Sequence, residues 1–383
     1  MIMDKVRSAD ERRLKLRSDM GERWRKLPMW QRLLAPAAGI VFLYYLPYLA
    51  IPGLEYVRTD FAEAGSNWSG VLFTCAVYAL VAIGLNVVVG LAGLLDLGYV
   101  GFFAIGAYTV GLFGSVESPV VKMIQRTFDL PETWALAWGL CIPLAIALTM
   151  ISGVILGGPT LRLRGDYLAI VTMGFGEIIR IVARNSEWTG GPQGISAIPG
   201  PEGPPSQDNV VFGLIDPTPW YWLAITVALL LVVATRRLEH SRVGRSWLAV
   251  REDEDAAAVM GVQGFKYKLW AFAIGACLGG MSGALFASRQ TFIDPTNFGL
   301  ALSITFVAMV VLGGAGNMFG VAFGAVLLTY LPERFRELQD WRPFAVGVAI
   351  VIVMIFKPAG LIPSRRRARE LKDRAEEAVA ANV

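Results

Sequence analysis

Apolar positions in this chain come in long unbroken runs, not in alternation with polar ones. Residues 71–96, 134–160, 220–235, 269–287, 298–330 and 344–356 carry almost no charge. Each approaches or exceeds the roughly 20 residues needed to cross a hydrocarbon core. The pattern predicts an all-α, polytopic helical membrane protein with about ten spans: 34–51, 71–90, 98–115, 134–156, 167–183, 220–235, 269–288, 298–313, 317–332 and 343–357. Continuous runs argue against a β-barrel, whose strands alternate apolar and polar positions. The transmembrane domain then occupies 34–357, between a basic arm (1–33) and a basic tail (358–383).

Composition agrees with this reading: of 383 residues, 55% are hydrophobic and 17% charged, against about 25% charged in soluble chains. The net charge of +4 is unevenly placed, with ten Lys/Arg in the first 32 residues, seven in 236–268 and six from Arg365 onward. These clusters flank predicted spans. The positive-inside rule therefore accounts for them better than nucleic-acid binding does, and it puts both termini and the 236–268 loop in the cytoplasm. The loops left outside, near 52–70 and 184–219, are poor in Lys/Arg and lean acidic. No secretory signal is expected, because about 30 polar residues precede the first apolar run. Cys75, Cys141 and Cys277 all fall inside apolar runs and His240 is the one histidine, so neither a disulfide framework nor a metal site is indicated.

Small residues recur every four positions at Gly275, Gly279, Gly283 and Ala287, at Gly316, Gly320 and Gly324, and at Ala107, Gly111 and Ser115. This spacing lets membrane helices approach closely. "GLAGLLDLGYVGFFAIGAY" (90–108) and "GGAGNMFGVAFGAVL" (313–327) share a glycine-rich texture in comparable positions of the two halves. Paired segments of this kind point to discontinuous helices beside a substrate path.

The stretch "LRLRGDYLAIVTMGFGEIIRIVARNSEWTGGPQG" (161–194) places two charges inside an apolar run. With a helix starting near Tyr167, Glu177 lies about 15 Å along it. A lone charge at mid-membrane costs roughly 2.5–3.5 kcal/mol on insertion scales, so it should face protein or water. Glu177 and Arg180 are three apart and can pair on one face. They either hold helices together or, with Asn86, Asp96 and Thr172, line a solute path. Arg162, Arg164 and Asp166 read as interfacial anchors. A second segment, "GRSWLAVREDEDAAAVMGVQGFKYKLWAF" (244–272), has helix-forming composition, with Gly261 as its C-cap. Its position between two spans suits force transfer to a cytosolic partner. The sequence carries no GxxxxGK[ST] loop, GxSxG elbow, HExxH or CxxC, so neither ATP binding by a P-loop nor an enzyme is expected.

"LRLRGDYLAIVTMGFGEIIRI" with "TGGPQGI", "GLNVVVGLAGLLDLGYVGFFAIGAYT", "REDEDAAAVMG", "VVLGGAGNMFG" and "FKPAGLIP" resemble the branched-chain amino acid ABC transporter permeases, specifically the larger permease of that system. The resemblance runs from about Gly84 to Pro363. It implies a second, different permease subunit, two cytosolic ATPase subunits, a periplasmic or lipid-anchored binding protein, and branched-chain amino acids as cargo. No cofactor and no nucleic acid are implied. It also implies that Arg251, Glu252, Asp253, Glu254, Ala257 and Gly261 form a coupling segment in a groove of the ATPase. Where the family's pattern has a small or apolar residue after the second Glu, this chain has Asp255. Two other readings stand beside this one: a urea or short-chain amide permease of the same class, and an autonomous ion-coupled transporter using Glu177 or Asp96.

Overall fold

The computed structural model describes residues 29–49, 68–161, 166–203, 211–213, 216–334, 342–357 and 360–362. The arm before Met29, the tail beyond Ile362, Arg162 and Arg164 lie outside these residues. The chain divides into two units, Met1–Leu54 and Glu55–Val383. Within the first, α1 (Met29–Tyr45) contains Pro36 and runs into a 3-10 turn at Leu46–Tyr48.

The second unit is helical. Its elements are α2 (Trp68–Asn86), α3 (Tyr99–Gly114), α4 (Pro119–Phe128), α5 (Trp138–Thr160), α6 (Asp166–Asn185), α7 (Thr218–Glu239), α8 (Arg242–Glu252), α9 (Glu254–Val259), α10 (Gly264–Gln290), α11 (Leu300–Gly313), α12 (Met318–Arg334) and α13 (Arg342–Phe356). Every predicted span overlaps a helix. Among the described residues, five helical segments are both long and apolar enough to cross a membrane, and Leu300–Gly313 and Met318–Pro332 are shorter apolar helices. The protein is a multi-pass helical membrane protein.

Helices α2, α3 and α10 form the centre. α10 packs most extensively on α3 and α5, while α2 is flanked by α7, α10 and α12. Between helices in lipid, close approach replaces hydrophobic drive, and the glycines of α10 supply it. A Cβ on Gly283 would collide with the Phe103 carbonyl of α3. Gly275 and Gly279 lie against α2 and Tyr99 in the same way, and Gly320 and Gly324 let α12 close on α11. Tyr99 fills the space left over, its hydroxyl donating to the Gly275 carbonyl at 2.7 Å. Phe103 stacks obliquely or edge-on with Phe286, Phe298 and Phe306, closing the core between α3, α10 and α11.

Three details differ from the sequence reading. Gly316 is not part of a packing ladder: it sits in the turn before α12, with φ of +88°. "REDEDAAAVMG" is two helices, because Asp253 adopts an extended conformation and its side chain caps a fresh start at α9. The third is α4, an amphipathic helix in the stretch between two predicted spans. Ser118 caps it and Asp129 ends it at φ +50°. Buried Gln125 ties α4 to the Glu132 and Trp134 carbonyls.

The bundle has two distinct ends. One carries α4 and the 187–203 turns, where Ile195 and Ile293 exchange backbone hydrogen bonds of 2.9 and 3.0 Å. The other carries α8, α9 and both glycine-rich interruptions.

Candidate functional site

The first interruption begins where α2 widens into a π-helical turn at Val87–Leu91. Such turns are rare and recur at functional positions. Gly93, at φ +73°, reverses the chain, and α3 starts only at Tyr99. The connecting loop is held from several sides. Asn86 is 1% exposed, and its Oδ1 accepts the Gly316 N–H at 2.8 Å. Asp96 is fully buried; its Oδ1 accepts the Gly98 N–H at 2.8 Å. Thr172 of α6 accepts the Leu97 N–H at 3.1 Å and donates to the Ala169 carbonyl. Ser303 of α11 donates to the Leu97 carbonyl. Gly98 is forced here: a Cβ on it would run into the Thr172 carbonyl. Asn86, Asp96 and Thr172, proposed from sequence as path residues, therefore surround one discontinuity. Asn86 Nδ2 and Asp96 Oδ2 have no hydrogen-bond partner there, which leaves polar capacity unused in a buried place.

Glu177 and Arg180 are not part of that knot. They pair with each other along α6, the Arg180 Nε lying 3.0 and 3.1 Å from the two carboxylate oxygens. Their side chains stay 39% and 25% exposed, on a helix that also exposes Ile170, Ile178 and Val182. The geometry is an internal ion pair on the outer face of α6.

The second interruption, 313–317, is clamped by the segment that follows α13. Leu361 and Ile362 donate their N–H groups to the Leu312 and Gly313 carbonyls at 2.9 and 3.2 Å. Asn317 Nδ2 returns a bond to the Ile362 carbonyl at 2.9 Å. The two interruptions meet through Asn86 and Gly316.

At the same end, α8 and α9 form a short platform. Ser241 caps α8, accepting the Gly244 N–H. Trp247 is buried and its Nε1 donates to the Tyr267 carbonyl of α10 at 2.7 Å. Arg251, from the last turn of α8, donates to the Gly90 carbonyl in the π-helical turn. Asp253 Oδ1 accepts the Ala256 N–H at 2.9 Å, Glu254 pairs with Lys268 of α10, and Ala257 is buried. Gly261, at φ +85°, ends α9, and the Val262 N–H reaches the Ala257 carbonyl at 2.9 Å. The end of α9 exposes an apolar pair, Val259 at 87% and Met260 at 83%, beside exposed Glu252, Asp253 and Asp255.

Trp247, Lys268, Ser303 and the Gly316 N–H were not legible as parts of this arrangement. A tryptophan in an otherwise polar loop was a usable signal for Trp247. A lone serine in an apolar helix says nothing of its partner.

A multi-pass helical bundle with two glycine-rich breaks that meet beside a short helical platform suits a transport scaffold. The chain belongs to the family described as the permease component of the branched-chain amino acid transport system, which it matches over residues 67–357. It is 42% identical over 317 residues to the high-affinity branched-chain amino acid transport system permease protein LivM of Escherichia coli K12, covering 78% of this chain and 71% of that one. To the protein of the same name from Salmonella typhimurium it is 43% identical over 314 residues, covering 77% and 70%. A probable branched-chain amino acid transport permease protein LivM of Methanocaldococcus jannaschii is 27% identical over 333 residues, covering 78% and 93%. No solved structure matches the chain.

Proposed function

We propose that this chain is a transmembrane permease subunit of an ATP-driven importer that carries branched-chain, aliphatic amino acids across the bacterial inner membrane. It pairs with a second permease subunit and two cytosolic ATPase subunits, and it receives cargo from a periplasmic or lipid-anchored binding protein. Both termini and the α8–α9 platform are cytoplasmic.

The observation that carries this reading is the platform itself. It is fixed to α10 through Trp247 and the Glu254–Lys268 pair and to the interruption of α2 through Arg251. Yet it presents Val259 and Met260 almost fully to solvent. An exposed apolar tip on a rigidly held helix pair is what a docking partner needs. Closure of the ATPase pair displaces α8–α9, and the permease halves rock between two states that differ in their contacts. A branched-chain amino acid is a zwitterion with an apolar tail. The buried polar knot at Asn86, Asp96 and Thr172 offers momentary partners for its charged end in an apolar corridor.

The test is to tag the C-terminus, solubilise membranes gently and identify what co-purifies. Recovery of a second permease and two ATPase chains in near-equal amounts supports the reading. Recovery of this chain alone overturns it in favour of an autonomous transporter. Replacing Asp253 and Glu254 together by Ala is expected to uncouple ATP hydrolysis from uptake with the protein still in the membrane, and unchanged uptake would remove the coupling role.

A further inference from the structure

The family resemblance implies that Arg251 belongs to the segment a partner ATPase would grip, yet its side chain reaches into the bundle. From the last turn of α8 the guanidinium reaches into the bundle and donates through Nη1 to the Gly90 carbonyl, 161 positions earlier in the chain. Its aliphatic stem lies over Gly93. A Cβ there would stand 2.6 Å from Arg251 Cγ and 3.2 Å from Cδ, and Gly93 already holds φ at +73°. The opposite side of Gly90 is equally occupied, since a Cβ on it would overlap Asn86 Oδ1 and lie 2.6 Å from the Gly316 nitrogen. One glycine thus touches the platform on one side and the second interruption on the other. The carbonyl that Arg251 takes belongs to the π-helical turn that continues α2, a helix C-terminus where carbonyls lack intrahelical donors and the dipole favours a cation.

We propose that Arg251 is a positioning residue for transport: it ties the α8–α9 platform to the π-helical turn at Val87–Leu91, so that movement of the platform is delivered to the discontinuity ending at Tyr99. This rests on the importer reading above. Arg251 acts through Gly90 and Gly93 and not through contact with the partner ATPase. Lysine keeps the Cγ–Cδ stem over Gly93, but its chain ends one atom short of the position of Nη1, so its ammonium cannot donate to the Gly90 carbonyl in the same geometry.

The experiment uses the assembled transporter, purified through a tag and reconstituted into liposomes, with ATP hydrolysis and amino acid uptake measured on the same preparation. Arg251→Gln and Arg251→Lys are expected to co-purify with the same subunits as wild type and to keep most of the ATP hydrolysis. Uptake per ATP should fall about tenfold, within the 5–150-fold usual for coupling between sites. Gly93→Ala is expected to give the same phenotype with the charge intact, and Arg251→Lys/Gly93→Ala to be no worse than the poorer single variant. Where Arg251→Gln fails to accumulate, Arg251→Lys and Gly93→Ala carry the test. Loss of the ATPase subunits from Arg251 variants would make the residue a partner contact and overturn the proposal. So would unchanged uptake per ATP, or multiplied losses in the double variant. Failure of the importer reading looks different: wild type itself would bring down no ATPase.

Discussion

Asn86 is the hinge of the polar knot, and truncating it gives the sharpest test of the packing. Asn86→Ala removes the acceptor of the Gly316 N–H, a 2.8 Å bond between α2 and the turn before α12. Stranding one donor in a partly buried place costs about 1–3 kcal/mol. Gly90→Ala attacks the same spot from the other direction, driving a methyl onto Asn86 Oδ1 and to 2.6 Å from the Gly316 nitrogen; overpacking of this kind costs about 1–3 kcal/mol. The two changes are not independent. With Ala at position 86 the carboxamide is gone, so the added methyl loses its worst collision while the Gly316 backbone still opposes it. The double variant should therefore be less destabilised than the sum of the singles, by at least about 0.5 kcal/mol. Unfolding in mixed micelles titrated with dodecyl sulfate and followed by tryptophan fluorescence reads all four corners of the cycle. Two results would refute the reasoning: Asn86→Ala within about 0.5 kcal/mol of wild type, or singles that add within about 0.3 kcal/mol.

Asp253→Ala should destabilise α9 by about 0.5–2 kcal/mol through loss of its cap, and Asp253→Ser should restore most of it; amide exchange at Ala256 reads the difference. Val259→Asp with Met260→Asp is expected to abolish recovery of the ATPase with the permease while leaving the permease in the membrane, measured by co-purification from tagged membranes. Glu177→Gln leaves Arg180 without its partner and should lower uptake more than the amount of protein in the membrane. Failure to accumulate would instead make the pair structural. Gly283→Leu has no room against the Phe103 carbonyl and should prevent stable accumulation, scored by immunoblot of washed membranes, whereas Gly158→Leu, where nothing lies within 4 Å, should not.

Helix-length apolar runs and the two glycine-rich textures were legible because both are local: a bilayer sets the length of the first and backbone freedom requires the second. What was not legible depended on partners far apart in sequence. Asn86 and Gly316 are 230 positions apart, and no periodicity joins a side-chain amide to a glycine N–H. Reading "REDEDAAAVMG" as one helix missed the cap, since Asp253 is acceptable both inside a helix and before one. Arg251 belongs to the same group: the resemblance implied a coupling role for it, but its acceptor, the Gly90 carbonyl, lies 161 positions away.

Both interruptions pose one physical problem, and the two solutions explain why they sit at the platform's end. A helix end shielded from water leaves carbonyls without donors, so protein must supply them. For α11 the donors are the Leu361 and Ile362 N–H groups, which gives a structural task to a segment otherwise recognisable only as "FKPAGLIP". For α2 a donor comes from Arg251. The first is backbone held by backbone; the second is one flexible side chain anchored on the α8–α9 platform. If these helix ends are the parts that rearrange during transport, the clamp with the side chain is the one suited to yield, and the backbone clamp marks the fixed point against which it moves. Disturbing the fixed clamp should then harm stability before it harms coupling. Gly360→Val, whose Cβ would press within 2.4 Å of the Gly314 Cα position at φ +89°, should lower the amount of folded protein. In the fraction that folds, uptake per ATP should be unchanged; an intact amount with poor coupling would reverse the assignment of fixed and moving clamps.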